Sequence, residues 1–482
     1  MAKVGTAESR ASERMSVGIF GSFRAAFLAF ASRSPSRFAI LVFAGLLGLF
    51  TLLFALPVSS AAGTWTNGVD AFFNAVSMVC VSGLTTVDFA TYWSPLGNAF
   101  VFLATQIGAL GVLTLASILG SMIAGHLGLR SRLMAASDTN PLRLHRGPVS
   151  EGQAIQLGEV GGLLITVAVS ALTIEAVISM LILPSVLAAG YALPDALWYS
   201  VYYGAMSFTN TGVTPNIGGL EVFAHDYWFL SMLMIAVTLG SVGFPVIYAI
   251  SRNLRRRKRW PLHVKLTLVT WAILWLLGGL AFAVVQPFDA AQFPSDQVGN
   301  NIFQAGFMST MARSGGFALI DWGQASAIML FIADVLMFIG GGSASTAGGI
   351  KVTTLAVLIL AAWSEARGRS SLVAFGRRIP SDVLRLAVSV LLWGGLTVGF
   401  ATFGMLLVTS APFEHILFEV TSAFGTVGYS TGLSASSPDA GKIILALVMF
   451  MGRVGTVTLA AALAATQREQ LFTRPEERPI VG

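Results

Sequence analysis

A chain of 482 residues with 55% hydrophobic and 11% charged residues, and a mean hydropathy of +0.76, has membrane composition, far from the about 25% charged residues of a soluble domain. Its net charge of +6 lies in basic runs that flank apolar stretches, which argues for a membrane and against nucleic acid as the partner of that charge. The single cysteine, Cys80, excludes an internal disulfide, and five histidines (His126, His145, His225, His263, His415) without ligand spacing signal no zinc or redox chemistry.

In chain order, residues 1–37 are polar and basic. Their apolar patch "SVGIFGSFRAAFLAFA" is too short and too interrupted by Arg24 to be a span or a signal peptide, so the segment reads as a cytoplasmic or interfacial lead-in. About 20 apolar residues cross a bilayer as a helix. Eight stretches qualify: 38–57, 97–124, 160–184, 227–250, 266–285, 325–362, 386–409 and 443–465. The sixth is too long for one straight span, and "IGGGSASTAGGIK" at 339–351 interrupts it, which predicts a broken helix.

Basic residues set the orientation. Arg130, Arg132, Arg143 and Arg146 follow the second stretch, "RNLRRRKRW" (252–260) the fourth, and Arg367, Arg369, Arg377 and Arg378 the sixth. The segments 58–96, 185–224, 287–324 and 410–442 hold only Arg313 and Lys442 of the 29 Lys and Arg residues. The positive-inside rule puts those four segments outside and both termini, including the tail 466–482, in the cytoplasm.

Each external segment is long yet largely apolar, which is odd for a water-exposed loop. Each carries a short amphipathic stretch ("DAFFNAVSMV", "DALWYSVYYGAMS", "NIFQAGFMSTM", "EHILFEVTSAF") and then a glycine-containing turn: "CVSGLTTVD", "TNTGVTPN", "RSGGFALID" and "GTVGYSTG". Aligned on one glycine each, the turns give Gly83, Gly212, Gly316 and Gly428. Helix, re-entrant loop and helix thus repeat four times in one orientation, with boundaries 38–130, 131–259, 260–380 and 381–465. Irregular backbone at membrane depth must be buried in protein or line a water-filled cavity. Four such loops on one axis can aim backbone carbonyls at a desolvated cation. The fold expected is an all-α membrane protein, with eight transmembrane helices arranged as four parallel repeats around a pseudo-fourfold pore. "TVGY" at 426–429 matches the potassium-channel filter over four residues.

The motifs "VCVSGLTTVDF", "SFTNTGVTPN", "MARSGGF", "SAFGTVGYSTG", "MFIGGGSASTAGGIKVTT" and "MGRVGTVTL" resemble the Trk/Ktr/HKT superfamily of potassium transporters, over roughly residues 38–465. The absence of an extra N-terminal helix pair favours the KtrB branch. The resemblance implies a selectivity filter built from Cys80, Val81, Ser82 and Gly83; Thr209, Asn210, Thr211 and Gly212; Arg313, Ser314, Gly315 and Gly316; and Gly425, Thr426, Val427 and Gly428. Potassium would meet the backbone carbonyls of Val81, Ser82, Asn210, Thr211, Ser314, Gly315, Thr426 and Val427. In related plant carriers a serine at the first glycine position goes with sodium, so Gly83 favours potassium. Gly315 departs from the alanine more usual there, which would loosen that loop.

The resemblance also implies an intramembrane gate: Gly340, Gly341, Gly342, Ser343, Ser345, Thr346, Gly348, Gly349 and Lys351, with Arg453 from the last span beside it. A nucleotide loop is excluded because Ile350 separates Gly349 from Lys351. Arg313 is expected to form a structural salt bridge with an external carboxylate such as Asp321, since a cation facing the ion path would repel potassium. Glu175 and Asp334, also within spans, read either as buried pairing partners or as pore-lining acids.

Also implied are a bacterial cytoplasmic-membrane location, a homodimer, and a separate cytoplasmic ring of RCK subunits (KtrA/TrkA-like) that bind ATP, ADP or NAD. Sodium is a possible activator, and no organic cofactor is expected in this chain. Two rivals are a sodium- or proton-coupled cation carrier and a secondary transporter of a small organic solute. The latter would want a charged midplane pocket and inverted repeats. An enzyme would need a catalytic constellation, and none is evident, so no catalytic residue is expected.

Overall fold

The computed structural model describes residues 35–126, 157–255, 260–289, 292–293, 298–369 and 371–455. Expectations for residues 1–34 of the lead-in, for Arg130 to Arg146, for residues 256–259 of "RNLRRRKRW" and for the tail 466–482 lie outside the described residues.

Four units follow one another, each an outer helix, a short pore helix, an extended loop and an inner helix. The first comprises α1 (Pro35–Ala55), α2 (Gly68–Val79) and α3 (Pro95–His126). The second comprises α4 (Leu157–Ala188), α5 (Leu193–Phe208), α6 (Tyr227–Val242) and α7 (Phe244–Arg252). The third has α8 (Leu262–Val285), α9 (Val298–Met311), α10 (Ala327–Phe338) and α11 (Val352–Ala366), and the fourth α12 (Ser381–Val408), α13 (Phe413–Gly425) and α14 (Asp439–Phe450). All four amphipathic stretches are helical as predicted.

The order of packing closes a circle. The inner helix of each unit packs on the pore helix of the next: α3 on α5, α6 on α9, α10 on α13, and α14 back on α2. The outer helices turn large apolar side chains outward, among them Met180, Leu276, Phe400 and Leu407. That is the reverse of a soluble surface and the face a lipid solvent selects. Inside, one continuous cluster unites buried residues of all four pore helices, including Phe73, Tyr203, Phe307 and Phe418.

Among the described residues, Thr166–Ala188, Leu262–Asp289 and Ser381–Val408 are each long and apolar enough to cross a bilayer. α1 and α3 are also continuous helices, of 21 and 32 residues, whereas three inner segments depart from a single straight helix. The sixth predicted span breaks between Phe338 and Val352, as expected. The fourth, predicted as one helix over 227–250, is instead bent by 98° between α6 and α7. Gly243 sits at the corner with φ +93, and Pro245 follows in the first turn of α7, where its missing N–H costs nothing. The eighth passes from α14 into a π-turn at Met451–Gly455, the last of the described residues. The sequence also hides a two-residue hairpin, β1 (Val373–Ala374) and β2 (Arg377–Arg378). Phe375 and Gly376, both at positive φ, form its turn.

Candidate functional site

The pore helices end at Val79, Phe208, Met311 and Gly425, and each hands the chain to a loop with the same unusual backbone. Val81, Asn210, Ser314 and Thr426 all have positive φ, between 46° and 69°, and two residues later Gly83, Gly212, Gly316 and Gly428 do too. For β-branched Val81 and Thr426 such angles cost about 1–3 kcal/mol each and persist only where the surroundings impose them. In three loops the residue after the left-handed one closes back on the pore helix across five residues: Ser82 N–H donates to Ser77 O (2.7 Å), Thr211 to Met206 (2.9 Å) and Val427 to Ser422 (3.0 Å). The third loop closes one residue tighter, from Gly315 N–H to Met311 O at 2.7 Å. Gly315 does not loosen it. A Cβ there would overlap Met311 and lie 3.0 Å from Val237, so the glycine lets its neighbours close in.

The loops meet at their glycines, and the meeting is cyclic. The Cα hydrogen of Gly83 points at the carbonyl of Thr211, that of Gly212 at Gly315, that of Gly316 at Val427, and that of Gly428 at Ser82. Each glycine thus faces the carbonyl of the residue that precedes the glycine of the next loop, in the order set by the helix packing. A Cβ on Gly212 would stand 2.5 Å from the Gly316 backbone, and one on Gly428 2.8 Å from Ser82 O. No side chain fits, so the ring is walled by backbone alone. The pore helices point their C-termini, the negative ends of their dipoles, toward the same place.

A second layer lies on the pore-helix side of this ring. In three repeats a glycine of the inner helix accepts the close approach of the pore helix's terminal carbonyls: Gly108 against Val79 O, Gly240 against Phe208 O, and Gly452 against Phe424 O. They stand 25, 28 and 24 residues after the ring glycine of their own repeat. The same interval in the third repeat falls at the break after α10. There residues 339–351 leave the helix and cross under the loops, tied at their base by Gly340 N–H to Ile350 O (2.8 Å) and Val352 N–H to Gly341 O (3.0 Å).

The crossing segment is anchored by hydrogen bonds throughout. Gly342 N–H donates to Ser241 O (2.7 Å) and Thr346 N–H to Gly240 O (3.2 Å); these are carbonyls that the break at Gly243 leaves without helical partners. The Thr346 hydroxyl reaches Phe208 O (3.3 Å) and Asn210 Oδ1 (3.2 Å). Gly348 N–H reaches Ser314 Oγ (3.2 Å), whose hydroxyl donates to Thr426 O (2.7 Å). Ser345 Oγ bonds Gly342 O, Ser343 Oγ pairs with Thr353 Oγ1, and Lys351 Nζ donates to Ala347 O. Gly349 takes positive φ. Arg453, 2% exposed, donates Nη1 to the carbonyl of Thr346. The predicted gate residues therefore come together, directly below the left-handed residues of loops two, three and four.

Arg313 does not pair with Asp321. Its guanidinium lies over the Trp271 ring at 3.9 Å and donates to Trp271 O (2.9 Å) and Ser309 O (3.3 Å). The Asp321 carboxylate instead accepts from Gly323 N–H. A planar cation stacked on indole with carbonyl acceptors needs no carboxylate. Gln106 Nε2 donates to the Glu175 carboxylate at 2.8 Å, joining α3 to α4, so Glu175 is a pairing residue. Asp334 is buried on α10.

Sequence reasoning missed a further set. Asn74, Tyr203, Phe307 and Glu419 each stand seven residues before the left-handed residue of their loop, and all are 0% exposed. Three of them tie the pore helix to the chain beyond the glycine: Asn74 to Thr86, Tyr203 to Asn216, and Glu419 to Ser430, Thr431 and Ser434. Aligning the pore helices on the left-handed residue would have found them.

The profile of the TrkH family, described as cation transport protein, matches residues 45–473. The chain belongs to that family. It is 30% identical to Ktr system potassium uptake protein D of Bacillus subtilis (strain 168), over 93% of this chain and 97% of that protein. It is also 30% identical to Ktr system potassium uptake protein B of Vibrio alginolyticus (92% and 94% covered), and 29% identical to potassium/sodium uptake protein NtpJ of Enterococcus hirae (89% and 93%). Its fold matches the crystal structure of the potassium transporter TrkH from Vibrio parahaemolyticus, with a TM-score of 0.67 at 16% identity over 89% of this chain and 85% of that one. Four parallel helix, pore-loop and helix repeats around a pseudo-fourfold axis are thus the architecture of this TrkH-family chain.

Proposed function

We propose that this chain is the membrane pore of a potassium-uptake system, in which the four-loop ring is the selectivity filter and residues 340–351 with Arg453 are the gate. The observation that carries the reading is the cyclic set of carbonyls of Ser82, Thr211, Gly315 and Val427, each set against the next loop's glycine. Carbonyl oxygens replace the hydration shell of a monovalent cation, and converging helix C-termini favour positive charge. The carbonyls of Val81, Asn210, Ser314 and Thr426 form a second layer. The names of the Bacillus and Vibrio relatives point to potassium as cargo. That of the Enterococcus relative makes sodium the cation to test against it.

Flux runs inward down the electrochemical gradient, since moving one charge through 100 mV supplies about 2.3 kcal/mol. The gate loop blocks the inner side, and Arg453 sets a positive charge beside the path that opposes cations while the loop is docked. Opening is assigned to a separate cytoplasmic RCK-type ring that binds ATP, ADP or NAD, against a homodimer of this chain with cytoplasmic termini. The four units divide at 130/131, 259/260 and 380/381.

The test is cation flux into proteoliposomes that hold the purified chain, comparing potassium, rubidium and sodium for the wild type and Gly83→Ser. Potassium and rubidium flux well above sodium, with discrimination lost in the variant, supports the reading. Equal sodium flux in the wild type, or no change with Gly83→Ser, overturns the filter assignment.

A further inference from the structure

The four residues seven positions before the left-handed residues hold their loops unequally. In the third repeat the position is Phe307, which packs in the apolar cluster. In the first, Asn74 Nδ2 donates to Thr86 Oγ1 (3.0 Å) and its Oδ1 accepts from Thr86 N–H at 3.5 Å. In the second, Tyr203 donates to Asn216 Oδ1 (2.5 Å). In the fourth, Glu419 accepts five hydrogen bonds. Oε1 takes the Ser430 hydroxyl (2.6 Å), Ser434 N–H (2.9 Å) and the Ser434 hydroxyl, and Oε2 takes Thr431 N–H (3.0 Å) and the Thr431 hydroxyl (3.3 Å).

Five donors converge on one carboxylate, and two of them are backbone amides. Only an acceptor-only group satisfies such a site with both of its oxygens. A glutamine of the same shape would turn an NH2 toward two or three donors, leaving them unpaired in a buried place. The donors belong to the segment that begins two residues after Gly428. Tyr429, between Gly428 and that segment, is 1% exposed and wedged against Trp322 with ring centroids 4.5 Å apart. The clamp and the wedge flank Val427 and Gly428, whose backbone closes the ring with loops one and three.

We propose that Glu419 is a positioning residue for ion selectivity: by gathering Ser430, Thr431 and Ser434 it fixes the outer half of the fourth loop, and so the placement of the Val427 carbonyl in the ring. The inference rests on the filter reading above. It makes the fourth loop the rigid reference of the ring, with an anchor of a kind the other three loops lack.

The experiment is competitive rubidium and sodium uptake by the full chain in proteoliposomes, for the wild type, Glu419→Gln, Ser430→Ala, Ser434→Ala and a filter control, Gly428→Ser. Monodispersity and thermal unfolding are followed in parallel. The expected result is a rubidium-to-sodium ratio about threefold or more below wild type in Glu419→Gln and Ser430→Ala, in protein whose unfolding temperature stays near wild type. A merely structural role would lower yield and total flux and leave that ratio unchanged. If Glu419→Gln does not fold, the two hydroxyl variants carry the same reading. An unchanged ratio in the recovered clamp variants, with a lowered ratio in Gly428→Ser, overturns the role of Glu419 alone. An unchanged ratio in Gly428→Ser as well overturns both and identifies the filter assignment as the step that failed.

Discussion

The ring of loops and the layer beneath it are built on opposite plans. At the ring, four segments with no side chain in common adopt the same backbone, from Val81, Asn210, Ser314 and Thr426 to the glycine two residues on. One layer down, three repeats pass a helix glycine against the pore-helix terminus, and the third alone unwinds into residues 339–351. Selecting a spherical cation needs equivalent ligands on all sides, which backbone carbonyls supply whatever the side chains are. On the reading proposed above, opening and closing needs only one element with two positions, which would account for the fourfold plan being abandoned in residues 339–351. Changes at the ring should therefore alter which ion passes, and changes below should alter how much passes.

The largest effect is expected at the ring. Gly212→Ala puts a methyl about where the Gly316 backbone lies, 2.5 Å from it, at a φ of +72. Strain and overlap together exceed about 3 kcal/mol, so wild-type ring geometry falls below roughly one part in a hundred. Potassium uptake should collapse about a hundredfold, with whatever flux remains unselective. Gly45→Ala, on α1 where no atom lies within 4 Å of the new methyl, should leave both unchanged. Retained selective uptake in Gly212→Ala would break the equivalence of the four loops.

Arg453→Gln tests the layer below. The bond from its guanidinium to Thr346 O ties α14's end to the crossing loop, and a charge-assisted bond in a buried place contributes about 1.5–3 kcal/mol. Losing it should favour the displaced loop by about tenfold or more, raising basal flux in the absence of any regulator while the potassium-to-sodium ratio stays at the wild-type value. A changed ratio would mean that the two layers are not separable.

The sequence showed the ring better than what anchors it, and the reason is physical. Hydropathy and basic flanks mark spans because lipid and potential act on composition, and glycines mark the ring because no other residue fits there. The bend at Gly243 was legible in "VGFP" yet hidden inside an unbroken apolar run. The Arg313 partner was misjudged because charge pairing is the first expectation for a buried arginine, whereas Trp271, 42 residues away, offers a ring face and a carbonyl that no local pattern announces. Asn74, Tyr203 and Glu419 share a position and not a chemistry, so no motif search sees them as a set.

The smallest effect is expected where the circle closes. Units one to three are each joined to the next by chain, whereas unit four meets unit one without a chain link, through the ring contact of Gly428 with Ser82, the packing of α14 on α2 and the ion pair Lys442 to Asp70, at 2.7 Å with side chains 11% and 19% exposed. Partly shielded pairs of this kind contribute about 1 kcal/mol. Lys442→Met keeps the apolar stem and removes the charge, so it should lower the unfolding temperature by about 1 °C. Asp70→Asn should cost a similar amount, and the double variant no more than either alone, because both delete one interaction. If the seam only holds the barrel shut, rubidium-to-sodium discrimination will not move. A loss of discrimination in Lys442→Met would show instead that the carbonyls of Ser82 and Val427 depend on a contact at the outer rim, and that the ring's equivalence is weakest at the junction the chain does not bridge.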